Sequence, residues 1–237
     1  MTIKKTSIIL CTYNEENYIK DTISSLQKNI NNLEIVIVDD NSKDGTRKII
    51  NDFSQPNNIR LIHRIKSRGL ASAFLTGIID NKGDYVGWTD SNMSELTIKF
   101  KEMIKLLDSG CDIVLLSRYI EGGGDNRTWL RSFSSKYFNL ICRFVLGSNI
   151  KDYTSGIFLM NKKVLNELTF LGYGHGEFFI EFIHNANKKG FNIKEIPFVQ
   201  GKDRDINASK TAGNIISFFY LGFFYILRIF VTLLWRG

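Results

Sequence analysis

Cysteine is scarce in this sequence. The three thiols (Cys11, Cys111, Cys142) are odd in number and show no CxxC spacing, which argues against a disulfide framework and a zinc site and fits a reducing, cytoplasmic setting. The three histidines (His63, His175, His184) are scattered without ligand spacing and read as surface or packing residues. Neither the GxGxxG fingerprint nor a Walker-type phosphate loop is present, which weighs against a dinucleotide dehydrogenase and a P-loop NTPase. The opening Met-Thr-Ile-Lys-Lys-Thr runs into a strand pattern with no apolar leader, so export is not expected.

What is present is a chain able to bury its own core. Its 237 residues are 43% hydrophobic, enough for one main domain without a staple. We expect that domain over 1–210 and a C-terminal appendage over 211–237. With 31 Lys and Arg against 24 Asp and Glu, the net charge of +7 calls for an anionic partner: nucleotide, lipid phosphate, membrane surface or nucleic acid. Charge alone does not choose.

The first half alternates apolar runs with helical spacing. Ser7 to Cys11, Glu34 to Val38, Ile59 to Ile62, Asp84 to Trp88 and Ile113 to Leu116 read as strands. Glu16 to Lys28, Gly45 to Phe53, Leu70 to Asn81 and Ile98 to Leu107 read as helices between them. Continuously apolar strands with intervening helices predict a mostly parallel sheet covered on both faces.

Three polar loops follow the first, second and fourth strands: Thr12-Tyr13-Asn14-Glu15-Glu16, Asp39 to Thr46, and Asp90-Ser91-Asn92. The carboxyl ends of parallel strands are where open α/β sheets place ligands, so the loops should converge on one crevice. Asp90 anchors the candidate site, although a turn Asp also serves to cap a helix such as the one expected near Thr97. A nucleotide here would be held by carboxylates and a metal rather than by a glycine cradle.

These residues carry a resemblance. Cys-Thr-Tyr-Asn-Glu, Ile-Val-Asp-Asp-Asn-Ser-Lys-Asp-Gly-Thr, Arg64 to Ala73 and Asp90 to Ser94 are similar to the family 2 glycosyltransferases, most of all to their dolichol-phosphate mannose synthase branch. Ser117-Arg118-Tyr119 with Gly122 to Gly124, Trp129 and Arg131 continue it, then Asp152 to Gly156, Glu181, Ile196-Pro197 and Arg204 to Lys210, in the branch's order over roughly residues 5 to 212. The resemblance implies a nucleotide-diphospho-sugar transferase fold of the GT-A type, Rossmann-like. It implies an enzyme that uses Mg²⁺ or Mn²⁺ and takes a nucleotide-diphosphate sugar and a polyprenyl phosphate as substrates. By residue, it implies nucleotide binding by Thr12, Tyr13, Glu15, Asp39, Lys66 and Asp90, with Asp39 on the base. Metal would sit on Asp90 and Asn92, and acceptor phosphate on Arg118, Arg131, Ser135, Arg204 and Lys210. Asp90, Arg118 and Arg204 would serve catalysis, with Asp152 and Glu181 in support.

The sequence departs from the family pattern at several of these positions. The family's Asp-x-Asp stands here as Asp90-Ser91-Asn92, and Asn brings a ligating oxygen without charge, which lowers metal affinity unless Glu95 or a neighbour compensates. Ser67, Ala71, Phe179 and Asn207 also differ from the branch; Lys66 or Arg68 would supply the charge missing at Ser67, and Asn207 tolerates a left-handed turn. A lipid monophosphate, with a second pKa of about 6, is already largely dianionic and needs cations rather than a base. A sugar-hydroxyl acceptor would instead require a base, for which Glu177 or Glu181 is the candidate. A non-catalytic sugar-nucleotide-binding relative remains the other alternative. The loop Gly172 to Gly176 closes over the site or is a plain connector, and the aromatic helix Trp129 to Leu146 is core or membrane-facing, not a nucleic-acid site.

From Ile215 to Trp235 the chain is nearly all apolar, interrupted by Arg228. About 20 such residues cross a bilayer, while a central Arg costs roughly 2.5 to 3.5 kcal/mol. Asn214, Ser217, Leu221, Tyr225, Arg228 and Thr232 form one mostly polar stripe, which suits a helix lying in the membrane interface, anchored by Trp235 and Arg236. A buried core helix is the alternative. The expectation is membrane association at the cytoplasmic face, with room for a small membrane-protein partner.

Overall fold

A computed structural model describes residues 3–53, 58–202 and 215–234, the backbone alone at 215–219 and 221. Its centre is a sheet in the order β3-β2-β1-β4-β7-β5-β8. The strands are β1 (Thr6–Thr12), β2 (Leu33–Asp39), β3 (Ile59–His63), β4 (Tyr85–Trp88), β5 (Ile113–Ser117), β7 (Phe158–Asn161) and β8 (Ile193–Pro197). A separate two-stranded ribbon pairs β6 (Gly124–Asp125) with β9 (Val199–Gln200). β1 pairs in parallel with both β2 and β4, β2 with β3, and β5 with β8; β7 runs antiparallel between β4 and β5. The mostly parallel sheet expected from the apolar runs is therefore present, with one reversed strand that those runs did not reveal.

Alternation along each strand splits the core into two layers. Ile8 and Leu10 of β1 pack with Ile35 and Ile37 against α1 (Ile19–Asn29), α2 (Thr46–Phe53) and α4 (Phe100–Asp108). Ile9, Val36 and Val38 face the other way, onto α3 (Leu70–Asp80), α5 (Trp129–Leu146) and α6 (Phe178–Lys188). That second layer is aromatic. Phe170 stacks on Phe182 at 3.8 Å between centroids, and Phe74 meets Trp88, Phe158 and Phe178 at 5.5–5.7 Å, spacings at which aromatic pairs add attraction beyond area burial.

Two boundaries move for local reasons. The first helix begins at Ile19 rather than Glu16, because Asn14 takes a left-handed conformation (φ 57°) and Glu15 closes a turn onto Tyr18. The helix expected from Ile98 starts earlier as a 3₁₀ turn, Ser94–Lys99, which runs into α4.

The C-terminal helix α7 (Ile215–Leu234) packs on α6 and α5. Arg228, Ile229 and Thr232 are buried toward the body, while Phe223, Phe224, Ile226, Leu227, Phe230 and Leu234 face outward. The polar stripe at Arg228 and Thr232 is thus the inner face. Arg228 Nε lies 3.0 Å from Glu181 Oε2 of α6, and a buried guanidinium requires such a partner. Among the described residues no helix is long and apolar enough to cross a membrane. The expected division at 210/211, and the positions of Trp235 and Arg236, lie outside the described residues.

Candidate active site

β1 and β4 are neighbours whose connections leave in opposite directions, which makes the gap beyond their carboxyl ends the switch point where such sheets open a crevice. The three polar loops converge there and are knitted together. Thr12 Oγ1 donates to Asp39 Oδ2 (3.2 Å), the Asn14 amide to Ser42 Oγ (2.9 Å), the Lys43 amide to Asn14 Oδ1 (2.8 Å) and the Glu15 amide to Thr46 Oγ1 (2.8 Å). The Asp90 turn is fastened from the other side: Thr22 Oγ1 of α1 donates to the Ser91 carbonyl (2.6 Å), and Ser25 Oγ to the Ser94 carbonyl (3.0 Å).

Asp90 lies exposed at the end of this turn. Its side chain caps no helix: Met93 precedes the 3₁₀ turn without a side-chain cap, and among the described residues no donor engages the Asp90 carboxylate. Surrounding protein pushes its carboxyl up to about 6, an effect that direct solvent access moderates. Asn92 Oδ1, two residues on, is buried without a hydrogen-bond partner. An unpartnered amide oxygen two residues from an exposed carboxylate gives the turn two oxygens of the kind a hard divalent cation takes. Among the described residues no three His, Cys, Asp or Glu side chains gather as a metal site, so further oxygens would come from elsewhere, and Glu95 is exposed nearby in the turn.

The two carboxylates of β2's end have divided roles. Asp39 is fully buried and engaged by Thr12 and by both the amide and hydroxyl of Ser42. The expectation of a base contact at Asp39 meets a carboxylate already committed within its own loop. Asp40 clamps the loop 64–69: Arg64 Nε and the Gly69 amide donate to it at 2.7 and 2.8 Å, and Arg64 also reaches Ser72 Oγ (3.0 Å). Gly69 holds φ 141°, a conformation that a side chain disfavours, so the clamp needs glycine. Beyond it, Lys66 and Arg68 are exposed, and the Arg68 guanidinium stacks 3.6 Å from the Tyr13 ring centroid.

The acceptor side departs further from expectation. Arg118 is 4% exposed and forms two bonds to Asp152, Nε to Oδ2 (2.8 Å) and Nη2 to Oδ1 (2.7 Å), with Nη2 also on Thr154 Oγ1 (2.7 Å). Burial opposes its charge, but Asp152 outweighs that and holds the guanidinium above its ordinary pKa. Arg118 Nε and Nη2 are thus taken up by Asp152 and Thr154, while Nη1 lies 3.7 Å from Asp125 Oδ2; the network shapes the loop 152–154 against α5. Ser135 Oγ lies 3.4 Å from Thr154 Oγ1 in the same network, and Arg131 is half-buried one turn earlier on α5. Asp125 and Arg127 form a second pair beside Arg118, at 2.5 Å. Glu177 accepts from the His175 amide (2.9 Å), and Glu181 is paired with Arg228. Arg204, Lys210 and Asn207 lie outside the described residues.

A model of glycosyl transferase family 2 matches residues 7–169, from β1 through β7. The chain belongs to that family. It is 30% identical over 240 residues to the dolichol-phosphate mannosyltransferase of Pyrococcus furiosus, which spans 98% of this chain but 65% of the relative's length. It is 28% identical over 226 residues to the polyprenol monophosphomannose synthase of Mycolicibacterium smegmatis, 90% of this chain and 83% of that one. In structure it resembles glucosyl-3-phosphoglycerate synthase from Mycobacterium tuberculosis bound to UDP, with a TM-score of 0.74, 16% identity, and coverage of 97% and 80%. The same protein bound to Mn²⁺, UDP and glucosyl-3-phosphoglycerate gives 0.73. The likeness is one of fold, the GT-A Rossmann-like α/β arrangement.

In this glycosyltransferase the Asp40–Arg64–Gly69 clamp escaped sequence reading, although Asp40 and Arg64 stand inside the family motifs, because only the fold brings residues 24 positions apart together. Arg228 carried a signal, a lone charge in an apolar run, but nothing in the run named Glu181 as its partner.

Proposed function

We propose that this glycosyltransferase is an inverting enzyme that moves a hexosyl group, mannosyl from GDP-mannose, onto a polyprenyl phosphate at the cytoplasmic face of a membrane. The observation that carries the donor half is Asp90, an open carboxylate beside the unpartnered Asn92 Oδ1 at the switch point of the sheet. A divalent cation held there would act as a Lewis acid on the diphosphate leaving group. The exposed Lys66 and Arg68 would meet the same phosphates, Arg68 by leaving the Tyr13 ring.

The acceptor half rests on the names of the two relatives and on the chemistry of the crevice. A phosphate monoester needs no general base. Of the two carboxylates that a hydroxyl acceptor could use as its base, Glu177 accepts from the His175 amide and Glu181 is paired with Arg228. Support for the membrane comes from the outward apolar face of α7 and from Trp129, Phe133, Tyr137 and Phe144 of α5, all exposed. This face lies on the surface of a bilayer rather than across it.

Incubation with labelled GDP-mannose, GDP-glucose, UDP-glucose and UDP-N-acetylglucosamine and a short polyprenyl phosphate tests the reading. A lipid-linked product from GDP-mannose is expected. Failure of every donor to label the lipid, from protein that still binds nucleotide, would sink the acceptor assignment.

A further inference from the structure

A side chain of the C-terminal helix reaches the turn that leads into α6. Tyr225 stands one turn before Arg228 on the inner face of α7, and the Arg228–Glu181 pair fixes that face against α6. Its hydroxyl is packed onto Gly176, so closely that a Cβ there would lie 2.9 Å from the phenol oxygen. Its ring meets Phe138 of α5 edge-on, at 5.5 Å and 82°, one turn after Ser135. Glu177, Arg118, Arg127 and Asp90 all lie within electrostatic reach of the phenol.

We propose that Tyr225 is an acceptor-binding residue whose hydroxyl donates a hydrogen bond to the phosphate of the incoming lipid, so that the C-terminal helix is a wall of the active site. The inference rests on the polyprenyl phosphate reading above. Burial and the neighbouring Glu177 hold the phenol above its ordinary pKa, so it keeps its proton at neutral pH and acts as a donor. Gly176 is then explained: it clears room for the hydroxyl at the start of the turn leading into α6.

The test is steady-state kinetics of the full chain with a short polyprenyl phosphate and GDP-mannose. Tyr225→Phe keeps the contact with Phe138 and removes only the hydroxyl. Expected is a rise of about tenfold in acceptor KM, the value of a hydrogen bond to a charged group, with donor KM and melting temperature unchanged. Gly176→Ala, which crowds the same hydroxyl, should raise acceptor KM as well, and the double variant should be no worse than Tyr225→Phe. An unchanged acceptor KM, or equal changes in both KM values, overturns the inference while leaving the reading of the function intact. Absence of lipid-linked product from the wild-type chain overturns both.

Discussion

Asp90 and Asn92 show how a single neutral substitution reshapes a site. An amide oxygen can ligate a hard cation but contributes no charge, so the pair should hold metal more weakly than two carboxylates. Asn92→Asp is expected to tighten Mn²⁺ binding about tenfold or more, read by calorimetric titration with and without nucleotide; unchanged affinity would return this turn to a structural role. The same titration has a predictable pH profile. The Asp90 carboxyl is pushed up to about 6 by its surroundings, and only the deprotonated form ligates, so Mn²⁺ affinity should be highest above that value and weaken as pH falls through it. Asp90 was legible from its place after an apolar strand. That Asn92 has a buried, unsatisfied oxygen was not, because satisfaction depends on which donors the fold brings near.

At the scale of the element, α7 is held by the buried pair of Arg228 with Glu181, and Arg228 Nη2 also donates to the Tyr173 carbonyl (3.3 Å). Burial pushes the Glu181 carboxyl up to about 7, against the pull of Arg228. Removing one partner of such a pair leaves the other charge buried alone, which typically costs about 3–5 kcal/mol. Glu181→Ala, which strands the guanidinium, should therefore lower stability by about that amount in urea melts, and the double variant with Arg228→Ala should recover part of the loss because no charge is then stranded. Additive losses would show that the two side chains act independently. The helix itself was readable as a run of apolar residues. Which face turns inward was not, since Arg228 and Thr232 on a polar stripe satisfy either a water-facing or a protein-facing arrangement.

The whole molecule presents an aromatic surface on α5 and α7 and a net charge of +7. Apolar insertion and attraction to anionic lipid then act together, and only the second is screened by salt. Co-sedimentation with vesicles containing phosphatidylglycerol should capture most of the protein, vesicles of phosphatidylcholine alone should capture less, and 0.5 M NaCl should narrow the difference without abolishing binding. Protein left in the supernatant under all conditions would remove the membrane from the proposed function.

The layered α/β architecture, the three loops at the strand ends and the family were all present in the sequence by itself. Each depends on local periodicity or on motifs that keep their order along the chain, and such signals need no knowledge of distant contacts. Tertiary structure alone decided how those residues are used. It paired Arg118 with Asp152, enclosed Asp39 within its own loop, clamped Arg64 on Asp40 and turned the polar face of α7 inward. In every case the physical reason is the same: a charge leaves water only where the fold supplies a partner, and partners that lie tens of residues apart in sequence become neighbours only through packing.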